Sequence, residues 1–369
     1  MSVRSKSAPA IDRLAVTAAT IPTDFPESDG TLAWDKTTIV IVEALCGDVS
    51  GIGYTYADLS SATLIEGLLA EVVKGRDAMD IPGIWEAMVR AVRNLGRPGV
   101  CSTAISAIDI ALWDLKAKLL RLPLVKLLGG VRPSIAVYGS GGFTSYSDAQ
   151  LRKQLAQWVE SGIRMVKMKV GREPGRDVER VCCARTAIGK EAGLFVDANG
   201  AYRRKQALEL ASRFKELGVS WFEEPVSSDD LEGLRLMRDR APEGVDIAAG
   251  EYGYDPRYFR RMLDAGAVDV LQADATRCGG ITEFLQVDAL CAAYEIPLSA
   301  HTAPAVHTHV CLAAKKAIHL EYFHDHARIE SAIFEGAQRP ENGQLSPDVS
   351  RHGLGLEIRR DELSRYRIR

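Results

Sequence analysis

Residues 164–170 read Arg164-Met165-Val166-Lys167-Met168-Lys169-Val170. In a β-strand successive side chains point to opposite faces, so Met165, Lys167 and Lys169 share one face and Val166, Met168 and Val170 the other. The apolar face suits packing beneath helices. The other face carries two ammonium groups about 7 Å apart, from a rise of roughly 3.3 Å per residue. Like charges that close lower each other's pKa, and a lysine pushed towards neutrality becomes a base. The plain alternative is an edge strand with two solvated lysines.

The flanking sequence decides between these readings. From residue 131 onward, short apolar or β-branched runs alternate with longer helical patterns. The runs are Ile135–Tyr138, Met165–Val170, Leu194–Asp197, Ser220–Glu223, Asp246–Ala249, Asp269–Gln272, Pro297–Ala300 and Ile318–Tyr322. Ser147 with Gln150 three residues later forms a capping box for the helix after the first run. Strand–helix alternation implies a parallel sheet, and this many units over about 200 residues fit a closed barrel better than an open sheet.

Barrels of this kind place their chemistry at the C-terminal ends of the strands. Here those ends carry, in order, Lys167 and Lys169, Asp197-Ala198-Asn199, Glu223-Glu224-Pro225, Gly250-Glu251, Asp274, His301 and Glu321. Asp197, Glu223 and Glu251 come from consecutive strands. Three carboxylates aimed into one cavity repel unless a cation lies between them, and an all-oxygen set suits Mg²⁺, with Mn²⁺ as the alternative. Asp274 beside His301 fixes the imidazole tautomer and raises its basicity. Glu321 reads as a protonated donor to an oxyanion, or as an ordinary salt-bridge partner. A cation and a donor stabilise the dianion left when a proton is taken from the carbon next to a carboxylate, and a lysine and a histidine on opposite faces can move the protons.

The N-terminal part has a different rhythm. Leu14–Ala18 and Thr37–Cys46 read as strands, and Ile21–Lys36, with two prolines and the acids Asp24, Glu27 and Asp29, reads as a functional loop rather than a tight turn. Helical patterns fill most of 61–92, and Ile105, Ile108, Leu112, Leu115 and Leu119 mark an amphipathic helix. The domain boundary is expected near 130, with residues 1–130 forming one domain, 131–335 the barrel, and 336–369 returning to the first domain. In the tail, 355–359 reads as a short strand.

Composition excludes several function classes. The chain has 369 residues, 46% hydrophobic and 26% charged, with a formal charge of −3. This balance offers no footprint for nucleic acid or an anionic membrane. Residues 1–11 lack the apolar stretch of a signal peptide, and no run of eighteen apolar residues exists. Seven cysteines without a C-x-x-C motif fit reduced thiols in the cytoplasm.

With these residues in place, nearly the whole chain resembles the enolase superfamily, mandelate racemase subgroup. Lys167-Met168-Lys169 is similar to the family's K-x-K, Asp197-Ala198-Asn199 to its D-x-N, and Phe222-Glu223-Glu224-Pro225 to its E-E-P. Gly250-Glu251 resembles its third metal ligand, Asp274 with His301 its dyad, and Glu321 its final carboxylate. The resemblance implies an α/β fold, a modified TIM barrel (β/α)7β with an N-terminal α+β capping domain. It implies Mg²⁺ on Asp197, Glu223 and Glu251, and Lys169 as base with Lys167 beside it lowering its pKa. His301 backed by Asp274 would serve the opposite face. Glu321 would hydrogen-bond the substrate carboxylate, and Asn199 would touch its C2 hydroxyl. Residues 21–36 and 51–58 fall at the family's lid positions, so Glu27, Asp29, Trp34, Tyr54 and Tyr56 are expected to face a small-molecule carboxylate. Relatives assemble as symmetric oligomers, so a homo-oligomer is implied.

Such a site can dehydrate an acid sugar or racemise a 2-hydroxy acid. Polar residues His324, Asp325 and His326 and the acidic lid (Asp24, Glu27, Asp29) favour dehydration of a polyhydroxy monoacid, since a diacid would want an arginine. A Schiff-base aldolase needs no acidic trio. His307-Thr308-His309 has H-x-H spacing but falls in an expected helix over 305–317, where i and i+2 face apart, against zinc. A merely binding protein has no need of aligned lysines and a dyad.

Overall fold

The computed structural model describes residues 9–369. The N-terminal part is an antiparallel sheet of β1 (Arg13–Ser28), β2 (Ala33–Cys46) and β3 (Val49–Tyr56). Two helical stretches follow, and the long helix Val100–Leu119 lies across the sheet. The expected loop over 21–36 is instead a hairpin arm. β1 continues to Ser28 and pairs with β2, with one irregularity between Pro22 and Glu27. Polarity misleads here because Asp29 Oδ1 accepts from the Thr31 and Leu32 amides at 2.6 and 2.7 Å, closing a tight turn.

The eight runs from residue 131 become β4 (Ile135–Gly141), β5 (Met165–Lys169), β6 (Gly193–Asp197), β7 (Val219–Glu223), β8 (Asp246–Ala249), β9 (Val270–Ala273), β10 (Leu298–Ala300) and β11 (Ala317–Phe323). They are parallel in sequence order, and β11 pairs with β4 to close the barrel. The alternation of β5 holds. Val166, Met168 and Val170 join the core beneath the helices. Met165 packs on an inner cluster of Tyr138, Phe195, Trp221, Ala248 and Val270 that plugs the barrel below the lysines. The capping box at Ser147 and Gln150 forms as expected.

β12 (Phe334–Glu335) pairs with β14 (Glu357–Ile358), and β13 (Gln344–Leu345) adds to β4. The Ala18 amide reaches the Arg369 carbonyl at 3.1 Å, tying the chain end to β1. The helix with the H-x-H spacing spans only Pro304–Ala313. There His307 Nε2 accepts from the Ala275 amide and His309 Nδ1 from the Val125 amide, so the two rings serve different segments. No helix among the described residues is long and apolar enough to cross a membrane.

Helix Val100–Leu119 meets β3 where β3 has no side chain to intrude. A Cβ on Gly53 would stand 2.2 Å from the Ala107 carbonyl oxygen and 2.3 Å from the Ala111 nitrogen. Gly53→Ala therefore overpacks this contact and is expected to cost about 1–3 kcal/mol. A melting temperature unchanged from wild type would contradict the packing described.

Candidate active site

The barrel register brings the predicted side chains together. Asp197 and Glu223 are paired residues on β6 and β7, Lys169 is paired with Asp197, and Glu251 follows β8 by two residues. All are buried. Ligand oxygens of Asp197, Glu223 and Glu251 lie within 4.8 Å of one another, so the trio could hold a metal ion. Burial and then Asp197 raise the Glu223 pKa to about 8, the electrostatic signature of acids crowded out of water. Trp221, two residues earlier on the same strand face, donates Nε1–H to Glu223 Oε2 at 2.9 Å. The i, i+2 alternation of β7 was a signal for this partner that the sequence reading did not use.

The lysines brace the acids. Lys167 Nζ lies 2.5 Å from Glu223 Oε1 and 2.9 Å from Glu321 Oε1. Lys169 Nζ lies 2.5 Å from Asp197 Oδ2. Two expectations are corrected here. Burial is the largest single influence and pushes the Lys169 amine down, but Asp197, Glu251 and Glu223 together outweigh it, so its pKa stands above the ordinary lysine value. Lys167 lowers it as expected, with smaller effect. Burial raises Glu321, but Lys167 and His301 outweigh that and hold it well below the usual carboxylate range. Glu321 is thus a charged acceptor, taking a hydrogen bond from the Thr302 amide at 3.2 Å, and not a protonated donor.

His301 stands just past the end of β10, on the other side of the acidic trio from Lys169. Its Nδ1 is 2.9 Å from Asp274 Oδ2, and its Nε2 lies 3.3 Å from Glu251 Oε2. Burial raises Asp274, but the hydrogen bond and charge of His301 carry it below the normal range. The Thr276 amide and hydroxyl hold Asp274 Oδ1, each at 2.7 Å. Arg277 Nη1 reaches Glu251 Oε1 at 3.4 Å and its Nε approaches Asp274 Oδ2 at 3.7 Å, joining the trio to the dyad. Nothing in the sequence beyond its position three residues after Asp274 marked Arg277.

A cavity of about 400 Å³ opens over these groups, lined by Lys169, Asn199, Glu251, Arg277, His301, Thr302 and Glu321 below and by Asp29, Trp34, Lys36, Tyr56, Phe323 and His326 above. Asn199 and Trp34 therefore sit where expected. Tyr54 does not. It is fully buried beneath the cavity wall and donates its hydroxyl to Glu330 Oε1 at 2.5 Å, joining β3 to the helix His324–Ile333. Glu27 lies behind Trp34, whose Nε1–H it accepts at 2.8 Å. Burial and then Asp325 raise its pKa to about 8. Asp24 pairs with His324 and Arg328, and Asp325 with Arg328 and the Thr37 hydroxyl. These acids of the lid are therefore consumed by protein partners. Asp29 and, from the other lid segment, Asp58 line the cavity, alongside the cations Lys36 and Arg277. The expectation of a monoacid drawn from acidic charge loses its basis.

The hairpin arm is closed over the mouth. Ser28 and Thr144 hydroxyls meet at 2.6 Å, and Ser145 donates to the Pro26 carbonyl at 2.7 Å. A Cβ on Gly30 would fall 2.4 Å from the Ala198 carbonyl oxygen, so the tip seats directly on the ends of β5 and β6.

A parallel barrel with a cap, an acidic trio and two facing proton-transfer groups defines an enzyme site for chemistry next to a carboxylate. Residues 14–129 match the family model "Mandelate racemase / muconate lactonizing enzyme, N-terminal domain", and residues 150–362 match "Enolase C-terminal domain-like". The chain belongs to this mandelate racemase/muconate lactonizing enzyme family of the enolase superfamily. It is similar to a mandelate racemase/muconate lactonizing enzyme-like protein from Rubrobacter xylanophilus, with 56% identity, 97% of this chain and 100% of that chain covered, and a TM-score of 0.96. It is 32% identical over 360 residues to the L-talarate/galactarate dehydratase of Salmonella typhimurium, covering 94% of this chain and 89% of that protein. A racemase from Streptomyces coelicolor A3(2) with bound magnesium is 31% identical, covers 97% of this chain and 100% of that chain, and superposes with a TM-score of 0.91.

Glu330 supplies a pH prediction. Burial raises its pKa from 4.5 to about 8, the Tyr54 and Ala305 hydrogen bonds lowering it only partly. Between those values the folded chain keeps a proton that the unfolded chain releases. Its stabilising share is therefore complete at low pH and declines by up to about 1.4 kcal/mol per unit as pH rises. Relative to Glu330→Gln, the wild-type melting temperature should fall between about pH 5 and pH 8. A constant difference would refute the assignment.

Proposed function

We propose that the protein is a Mg²⁺-dependent acid-sugar dehydratase, which abstracts the proton alpha to a carboxylate and expels the β-hydroxyl. The reading is carried by one observation: Lys169 and His301 approach opposite ends of the same acidic trio, at Asp197 and Glu251. Residues 131–335 supply the chemistry, and residues 1–130 with 336–369 supply the roof.

The crowding that raises Glu223 is what a hard divalent cation relieves, so the donor set fits Mg²⁺, with Mn²⁺ the alternative, on Asp197, Glu223 and Glu251. When bound, the cation supplies positive charge that stabilises the dianionic enediolate. With the carboxylate charge neutralised, burial and Lys167 remain as the influences on Lys169, and both favour the free amine. Lys169 then takes the C2 proton. Lys167, set by Glu321, neutralises the substrate carboxylate. His301, oriented by Asp274, gives its Nε2 proton to the departing C3 hydroxyl, which leaves as water. The enol product becomes a 2-keto-3-deoxy acid. Asn199 faces the C2 hydroxyl from the cavity wall.

Racemisation or epimerisation of a 2-hydroxy acid is the second reading. It is supported by the likeness to the Streptomyces racemase and by the same opposed pair, with His301 returning the proton to C2. We also read the protein as cytoplasmic, supported by seven cysteines with no disulfide among them, and as a homo-oligomer, as the family resemblance implies.

Incubation with an acid-sugar library and Mg²⁺ should yield 2-keto-3-deoxy acids. Lys169→Ala and His301→Asn should each lower dehydration by roughly 10²–10⁴-fold. In D₂O, His301→Asn should still exchange the C2 proton and Lys169→Ala should not; the reverse pattern would exchange the two roles. Wild-type α-exchange without any keto product would favour the racemase reading.

Chelation with EDTA should abolish turnover, and Mg²⁺ should restore it. Calorimetry of Glu223→Gln should show Mg²⁺ affinity at least about 10-fold weaker. Equal affinity would remove Glu223 from the metal site.

A further inference from the structure

His326 lines the cavity from above, and the chemistry leaves it unused. Of the three polar residues after Glu321, His324 and Asp325 are committed to Asp24, Arg328 and Thr37, whereas His326 lines the cavity. The ring is more than nine-tenths buried. It stacks on Tyr56 with centroids 3.4 Å apart and planes 12° from parallel, and meets the Phe323 ring edge-on at 5.0 Å and 85°. Tyr56 also donates its hydroxyl to the His326 carbonyl at 3.3 Å. The imidazole is thus locked in position from both faces.

Its hydrogen-bonding capacity is unspent. Nδ1 is enclosed without a partner. An enclosed lone pair is tolerated more readily than an enclosed N–H, which assigns the proton to Nε2, the nitrogen left to meet the cavity. Burial, then the neighbouring His301 and Arg277, oppose a second proton, so the ring is a neutral donor. A buried polar group held this rigidly, with no protein partner, is arranged for a ligand.

We propose that His326 is a specificity-determining residue that donates its Nε2 hydrogen bond to an oxygen of the substrate chain beyond the reacting carbons. The proposal rests on the carboxylate-substrate reading above. It means that the protein takes acids oxygenated past C3, and that a short or deoxygenated hydroxy acid leaves this donor unpaired. The oxygen is a hydroxyl or the far carboxylate of a diacid.

The test uses Mg²⁺-loaded protein and a ladder of acids: glycerate, the tetronates, pentonates and hexonates, the 6-deoxyhexonates, and the matching aldarates. Affinity is read by calorimetry and kcat/KM by keto-acid release. At one step of the ladder wild-type affinity should rise about tenfold or more. That step should vanish in His326→Phe, which keeps the stack on Tyr56, and return in part in His326→Asn. A step at an aldonate identifies a hydroxyl, and one confined to aldarates a carboxylate. If His326→Phe keeps every step, or wild type shows none, the proposal is overturned. Calorimetry decides this even if no acid is dehydrated, an outcome that would sink the dehydratase reading alone.

Discussion

Three carboxylates that cannot tolerate one another in a dry cavity set the terms for the rest of this molecule. Asp197, Glu223 and Glu251 are all but excluded from water, and their mutual repulsion must be met by opposite charge. Lys167 and Lys169 meet part of it, each within 2.5 Å of a carboxylate oxygen. Arg277 and the Trp221 N–H meet more. The same residues that balance the trio are those the chemistry needs, so stability and function draw on one charge arrangement.

Holding that arrangement requires an unusual backbone. Asn199, Glu224, Thr302 and Ala303 have φ of +46°, +39°, +50° and +40°, in the left-handed region that side chains disfavour. Such residues cost of the order of 1–3 kcal/mol each and persist only where surroundings enforce them. All four lie just past β6, β7 and β10, where the chain turns sharply away after presenting a functional side chain. Local hydrogen bonds lock the turns: the Glu224 amide to the Ala248 carbonyl, the Gly200 amide to the Glu224 carbonyl, and the Thr302 amide to Glu321.

The cap is held on the barrel by polar bonds concentrated near β9. Thr55 donates to the Thr276 carbonyl, Trp85 to the Gly279 carbonyl, and Thr282 to Asp109. Thr276 and Gly279 follow directly on Asp274, so the segment that carries the dyad acid is also the hinge plate of the roof. The hairpin arm closes from the other side, through Ser28 and Ser145. The cavity is thereby covered by a sheet that is firmly seated at one edge and pinned by a few side-chain contacts at the other.

Much of this was legible in the residues alone. Short apolar or β-branched runs between longer helical patterns located all eight barrel strands, because a strand buried on both faces needs apolar residues in short runs. Strand ends then listed the acidic trio, the lysines, the dyad and Glu321, because a parallel barrel has only one face where strand ends become loops. The hairpin arm, Tyr54 and the charge states were not legible. Glu27 and Asp24 look like substrate-facing charges until Trp34, Arg328 and His324 claim them. Lys169 looks neutral until Asp197 comes within 2.5 Å of it. Sequence determined which ionisable groups reach the mouth. Tertiary structure alone decided which of them pair with one another and which remain for a ligand, since Coulomb energy depends on distances that spacing along a chain does not contain.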